Sequence, residues 1–361
     1  MRVVICWSHI SGYMTSCWRA LSARGDVDYS LLAFQSSNTG TIAFEDDLVR
    51  GLPCRLLTEK EQADEALIRS LVIEAKPDVV VIPGWFHQPY VKLATDPALK
   101  NAKFMMTMDT PRRDTLRQKL GRYKIGWLVE RLSRAIVAGE RAWQLAKLLG
   151  FPEEKVRRGM YGVDYEALAS LYEQRVAQPG GWPKRFLFVG RYVEDKGIDV
   201  LLDAYRQYRS GSREPWPLTC CGAGPLAGLL KDQPGVSDRG FVQPRAQMQI
   251  MAEHGTFVLA SRYDPWPLVL VESAASGLPI VHSEACGSAV ECVRNYYTGR
   301  GVATENAREL ARALAWCEAH HDELQEMGKR AQPLAAPYSA QAWAHRWSSI
   351  FREMLDAGTT S

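Results

Sequence analysis

Ser261-Arg-Tyr-Asp264-Pro-Trp-Pro267-Leu-Val-Leu-Val-Glu272-Ser-Ala-Ala-Ser-Gly277-Leu-Pro279 is the stretch whose reading decides the architecture. Residues 256–260 before it, Thr-Phe-Val-Leu-Ala, are apolar after the first, the pattern of a strand covered on both faces. A polar loop follows. The sequence then predicts a helix that starts near Pro267, a residue suited to the first helical position, and stops at Gly277, the usual left-handed cap. Another strand candidate, Ile-Val-His, comes at 280–282. Strand, loop, helix and strand in this order make the repeating unit of a parallel sheet. Ligands of open α/β sheets bind at the carboxyl ends of the strands. A helix start at that edge offers N–H groups and a positive dipole end to an anion. Asp264 stands in the loop at that mouth and Glu272 in the second helical turn. Two carboxylates framing such a helix start suit a ligand that carries both a diphosphate and hydroxyl-rich sugars.

The same alternation extends outward in both directions. Strands are predicted at 3–6, 29–34, 79–82, 104–108 and 135–138 in the first half, and at 186–189, 218–221, 256–260 and 280–282 in the second. Helical stretches lie between most of them, for example at 61–75. The pattern pauses after Asp164: a polar helix at 165–175 leads to Gln178-Pro-Gly-Gly-Trp-Pro183, the best linker candidate. A chain of 361 residues suggests two domains and can bury a large core without disulfides or metals. The eight cysteines form no C-x-x-C pair, and several lie in apolar runs, so they read as reduced core residues. No apolar run approaches the roughly 20 residues that span a bilayer. A net charge of +3 is too small to argue for nucleic acid. A last helix at 340–355 gathers Trp343, Trp347, Ile350, Phe351 and Leu355 on one stripe.

A second constellation is Phe188-Val-Gly190-Arg191-Tyr-Val-Glu-Asp-Lys196-Gly197. It puts Arg191 and Lys196 at the carboxyl end of the first strand of the second half, where Arg clamps phosphate and Lys acts as a point charge. A solvated charged turn is the bland alternative. Cys221-Gly222-Ala-Gly224-Pro225 follows another strand; it is not the G-x-G-x-x-G dinucleotide fingerprint and reads first as a tight turn.

These segments together resemble the retaining glycosyltransferases of family 4, the glycosyl transferases group 1 with the GT-B fold. The stretch at 264–272 is similar to that family's E-x7-E signature, with Asp264 for the first Glu and Pro267 for the usual Gly. Residues 190–197 are similar to its G-R-x4-K-G pattern. The resemblance implies an α/β fold of GT-B architecture: two Rossmann-like domains facing each other across a cleft. It implies an acceptor-side domain at 1–175, a linker at 176–183 and a nucleotide-sugar-binding domain at 184–338. A C-terminal helix at 339–361 crosses back to the first domain.

By the same resemblance Asp264 holds donor-sugar hydroxyls, Glu272 holds the ribose hydroxyls, and Arg191 and Lys196 hold the diphosphate. Amides of Leu268 and Val269 donate in place of the one that Pro267 lacks, and Trp266 and Gly222 join the donor site. Gly240-Phe241-Val242 is similar to a short strand that meets the base through its backbone. Gly287-Ser288-Ala-Val-Glu291 is similar to the stretch after the next strand, where simple packing is an equal alternative. In the first half, Ser8-His9-Ile-Ser-Gly12-Tyr13 is similar to a loop near the donor phosphate; Gly12 is its best match, and His9 reads equally as structural. Asp109 stands where many relatives carry a His near the reacting carbon, with a helix N-cap as the alternative. Gly162-Val-Asp164 is similar to the close of the family's first domain.

The implied reaction moves a sugar from a nucleoside diphosphate sugar, UDP or GDP, to a glycan or lipid-linked acceptor, in the cytoplasm and without metal or other cofactor. Asp26-Val-Asp28 is formally D-x-D, but it sits in a turn outside the setting that motif requires. A nucleotide-sugar epimerase of the same architecture and a non-catalytic nucleotide-sugar-binding protein are the alternatives. A basic stretch remains: Arg112, Arg113, Arg117, Lys119, Arg122, Lys124, Arg131 and Arg134, against Asp114 and Glu130, with Tyr123, Trp127 and Leu128 interleaved. It reads either as a solvated helix face or as an acceptor or membrane-surface patch at the inner membrane face.

Overall fold

The computed structural model of the chain describes residues 1–8, 12–35 and 46–357, so His9 lies outside the described residues. The chain forms two compact units: Met1–Gly162 with Ala340–Ser361, and Val163–Ser339.

The first unit holds seven parallel strands in the order β3-β2-β1-β4-β5-β6-β7. They are β1 Arg2–Trp7, β2 Asp28–Phe34, β3 Cys54–Leu57, β4 Val79–Ile82, β5 Lys103–Met108, β6 Arg134–Val137 and β7 Val156–Arg158. The second unit holds six in the order β10-β9-β8-β11-β12-β13, again all parallel. They are β8 Phe186–Val189, β9 Leu218–Cys221, β10 Val236–Asp238, β11 Thr256–Leu259, β12 Ile280–Ser283 and β13 Gly299–Val302. The order 3-2-1-4-5-6 within each sheet is that of the Rossmann fold. Continuous apolar runs form the centres: all four residues of β4 and of β11 are buried. Burying each valine, isoleucine, leucine or phenylalanine among them contributes roughly 1.5 to 3 kcal/mol.

The apolar runs predict nine of these strands. The four they miss are β3, β7, β10 and β13, which are the two outer strands of each sheet. Their sequences, Cys54-Arg-Leu-Leu, Val156-Arg-Arg, Val236-Ser-Asp and Gly299-Arg-Gly-Val, lack the continuous apolar signal. An outer strand has one open side and carries charge or glycine there. The helix predicted at 61–75 is two helices, Glu59–Gln62 and Glu65–Glu74; Asp64 breaks the run and caps the second by accepting from the Leu67 amide at 2.9 Å.

The compact units divide between Gly162 and Val163, whereas the linker is expected at 176–183. The helix Tyr165–Val176 belongs to the second unit, because Arg175, fully buried, anchors it there. Its guanidinium donates to the carbonyls of Ser276 (2.8 Å), Gly277 (3.3 Å) and Met251 (2.8 Å) and lies 5.1 Å from the Trp182 ring. Residues 178–183 are not a loose connection either. Gln178 donates to the Ala252 carbonyl at 2.7 Å, and buried Trp182 donates to Gly255 at 2.9 Å. Proline and glycine mark a turn here, and tertiary packing decides to which unit the turn belongs. The last helix, Ala340–Asp356, groups with the first unit. Trp343 and Trp347, both fully buried, donate their indole N–H groups to Met160 (2.7 Å) and Gly159 (3.3 Å). Among the described residues no helix is long and apolar enough to cross a membrane.

Candidate functional site at the carboxyl edge of the second sheet

Between β8 and β11 the order of the second sheet changes direction, and ligands of open α/β sheets bind at the carboxyl edge beside such a point. Both charged motifs fall there. After β8 the chain makes a turn at Glu194–Lys196, and Gly197, at φ 62°, starts the helix Ile198–Gly211. A Cβ on Gly197 would lie 2.1 Å from the Ala260 carbonyl oxygen. Only glycine both adopts this dihedral and lets the turn lie against the end of β11. The turn thereby delivers Lys196 to the next loop, where its Nζ donates to Oδ2 of Asp264. The two side chains are 19% and 7% exposed.

Burial pushes the Asp264 carboxyl above its ordinary value. The Lys196 ammonium, the Trp266 amide and the charge of Arg191 pull against that rise without cancelling it. Arg191 itself is exposed. The loop that carries Asp264 is stitched down from the neighbouring strand end. Ser283 Oγ donates to the Ser261 carbonyl (2.5 Å), the Gly287 amide to the Asp264 carbonyl (2.9 Å), and Ser288 Oγ to the Pro267 carbonyl (2.8 Å). A Cβ on Gly287 would meet the Pro265 carbonyl oxygen at 1.8 Å, so that approach also requires glycine. The stretch 287–288 therefore positions the site loop, and Glu291 is left on the short helix Ala289–Cys292 that follows.

The helix after the loop runs Leu268–Ala275. Pro267 is its N-cap rather than its first turn, since its ψ of 102° is still extended. The amides of Leu268 and Val269 then stand among the first four of the helix, which have no acceptor inside it. Trp266 is 8% exposed, and its buried indole N–H has no acceptor. Glu272, partly buried, accepts from Gln247 Nε2 at 3.2 Å. Burial raises its carboxyl to about 7, and the Gln247 hydrogen bond only partly opposes this.

The structure separates other expected residues from hydrogen-bonding roles. The Gly222 amide donates to the Gly240 carbonyl at 2.8 Å and is already used. Residues 240–242 are a bend, not a strand: β10 ends at Asp238, whose carboxylate accepts the Gly240 amide at 2.8 Å. Phe241 is 36% exposed beside this bend. Gly12 and Asp109 belong to the first unit. Gly12 opens the helix Gly12–Arg24. Asp109 follows β5 and accepts from the Tyr161 hydroxyl at 2.9 Å. It caps no helix, because the next one, Leu116–Arg131, is capped by Thr115. Asp26 of the D-x-D triplet is spent on Arg24, Ser348 and Arg352.

Two residues that hold the site together were not singled out from the sequence. Gln247 is the partner of Glu272. Arg262 is the brace of the Lys196 turn. Its guanidinium grips Asp199 through two bonds of 2.7 Å, donates to the Glu194 carbonyl at 3.0 Å and reaches Glu305 at 2.8 Å; its amide donates to the Asp195 carbonyl at 2.8 Å. Arg262 lies inside the most informative segment of the chain, but spacing along the sequence gives no sign that it reaches back some sixty residues.

Residues 173–333 match the family described as Glycosyl transferases group 1. The chain is similar to the D-rhamnosyltransferase WbpZ of Pseudomonas aeruginosa: 26% identical over 283 residues, covering 72% of this chain and 69% of that protein. It is 26% identical over 264 residues to a glycogen synthase of Mycobacterium tuberculosis, covering 66% of this chain and 59% of that one. Its fold is similar to that of Anabaena HepE in complex with UDP, with a TM-score of 0.77 at 16% identity, over 98% of this chain and 100% of that one.

Proposed function

We propose, from the match of residues 173–333 to the glycosyl transferases group 1 family and from the GT-B fold, that the protein is a retaining, nucleoside diphosphate sugar-dependent transferase. Its acceptor is a hydroxyl of a glycan or of a lipid-linked sugar. The observation that carries this reading is the Lys196–Asp264 pair at the point where the second sheet changes direction, with Arg191 beside it.

The bond between the anomeric carbon and the diphosphate oxygen breaks while a bond from that carbon to the acceptor oxygen forms. Negative charge grows on the leaving diphosphate. Arg191, Lys196 and the amides of Leu268 and Val269 are set to meet it, and preorganised charge of this kind is usually the largest catalytic contribution. Asp264 holds donor-sugar hydroxyls and Glu272 the ribose hydroxyls, with Trp266, Phe241 and Val242 lining the donor side. By the resemblance, Gly12 serves the donor phosphate and Asp109 the reacting carbon. The acceptor proton passes to the departing phosphate oxygen, so the reaction needs no separate strong base. With two cations at the leaving group, the reaction needs no metal, and turnover persists in EDTA.

UDP is the first donor nucleotide to test, since HepE was solved with it. The experiment is a thermal-shift screen of UDP- and GDP-sugars, followed by turnover of each hit with and without acceptor. Stabilisation by a nucleotide sugar together with acceptor-dependent release of the nucleotide supports the proposal. Conversion of the donor to an epimer without acceptor replaces it with an epimerase. Binding with neither reaction, across the acceptor panel, replaces it with a binding protein.

A further inference from the structure

The helix Leu116–Arg131 has two apolar faces. One is ordinary: Ile125, Leu128 and Val129 are buried in the core of the first unit. The other points away from it. Leu116, Leu120, Tyr123 and Trp127 are 78%, 63%, 82% and 45% exposed. At about 100° per residue these four positions fall within an arc of about 60°, on the opposite side of the helix from Ile125. The core does not need this second stripe.

Cations border it. Arg117 and Lys124 lie along one flank and Lys119 along the other, all exposed, and Arg112 and Arg113 precede the helix. Asp114 is paired with Arg112 at 2.8 Å. The single acid of the helix, Glu130, comes after Trp127, beyond the end of the stripe. A contiguous apolar stripe left in water marks an interaction surface. An exposed stripe of leucine, tyrosine and tryptophan with lysine and arginine on both sides has the makeup of a helix that lies in the headgroup region of a bilayer.

We propose that Leu116, Leu120, Tyr123 and Trp127, with Arg117, Lys119 and Lys124 around them, dock the chain on an anionic lipid surface. Charge decides between occupants. A second copy laid on this face would set one cationic border against another, whereas acidic headgroups neutralise both flanks while the acyl boundary takes up the apolar stripe. Lys and Arg near such a surface are drawn to it electrostatically, and the attraction decays over about 8 Å at physiological salt.

The test is co-sedimentation of the full chain with vesicles of phosphatidylcholine alone and of a two-to-one mixture with phosphatidylglycerol, at low and at high salt. Two triple variants accompany the wild type: Arg117→Glu/Lys119→Glu/Lys124→Glu and Leu120→Ser/Tyr123→Ser/Trp127→Ser. Thermal melting confirms that each is folded, and light scattering without lipid reports self-association. Wild type is expected to bind the anionic vesicles at low salt and to leave them at high salt. The charge triple is expected to lower partitioning on the order of 100-fold, and the serine triple to lower it as well. Three results overturn the proposal: no binding of wild type at low salt, binding that neither triple changes, or a lipid-free self-association that the serine triple abolishes, which makes a second copy the occupant.

Discussion

The carboxyl edges of the two sheets have the same topology and different content. At the second, a lysine and a carboxylate meet where the strand order reverses, an arginine stands beside them, and three hydrogen bonds from β12 and the residues after it fix the loop that carries the carboxylate. A second carboxylate waits one helix turn further on, its proton affinity raised by burial. At the first, among the described residues, Asp109 is met by one hydroxyl, that of Tyr161. A parallel sheet therefore supplies only the place for a site. What makes one edge the candidate site is the density of charge delivered by short turns, and those turns depend on close backbone approaches such as that of Gly197 to Ala260.

The contrast predicts a graded set of effects. Lys196→Ala is expected to cost the most, on the order of 10²- to 10³-fold in kcat with saturating donor. It also lowers Tm, because Asp264 is left buried without its partner. Adding Asp264→Asn is expected to restore Tm and not turnover, a combination that steady-state kinetics and melting curves together resolve. Arg191→Ala comes next, with about 10²-fold lost in kcat and Tm unchanged, since the side chain is exposed. Near wild-type turnover in both single variants would remove the charge from the second edge and end the comparison.

Glu272→Gln is expected to weaken nucleoside diphosphate binding roughly 10- to 100-fold in calorimetry, the loss of a charged acceptor being about 1.5 to 3 kcal/mol. The wild type carries a pH signature as well. Its folded carboxyl titrates at about 7 instead of 4.5. The ligand-free fold therefore keeps the proton across that window and loses stability as pH rises through it. The carboxylate that accepts two hydroxyls forms at the top of that window, around pH 7, so nucleotide affinity is expected to increase more steeply from pH 6 to pH 8 in the wild type than in the Gln variant.

Tyr161→Phe, on the first edge, is expected to be the mildest: under about 10-fold in kcat, and about 1 kcal/mol in stability by denaturant titration. A loss as large as that of Lys196→Ala would show that the two edges share the chemistry equally.

Much of this protein was legible in the order of its residues. Continuous apolar runs identified the inner strands, because a strand covered on both faces has no room for polar side chains. Charges set after such runs placed Arg191, Lys196 and Asp264 at one sheet edge, because a strand end fixes where the next few residues stand. Three other things were decided only by the tertiary structure. The outer strands β3, β7, β10 and β13 exist because a neighbour offers hydrogen bonds, which their polar sequences do not announce. The boundary between units follows Arg175, a charge that composition assigns to a polar surface and packing buries against three carbonyls. Arg262 and Gln247 act through contacts with residues distant in sequence, and a side chain's reach across a fold leaves no periodicity to read. Local pattern fixes what each segment becomes, because its burial and backbone preferences are its own; which distant group it meets depends on where the rest of the chain has gone.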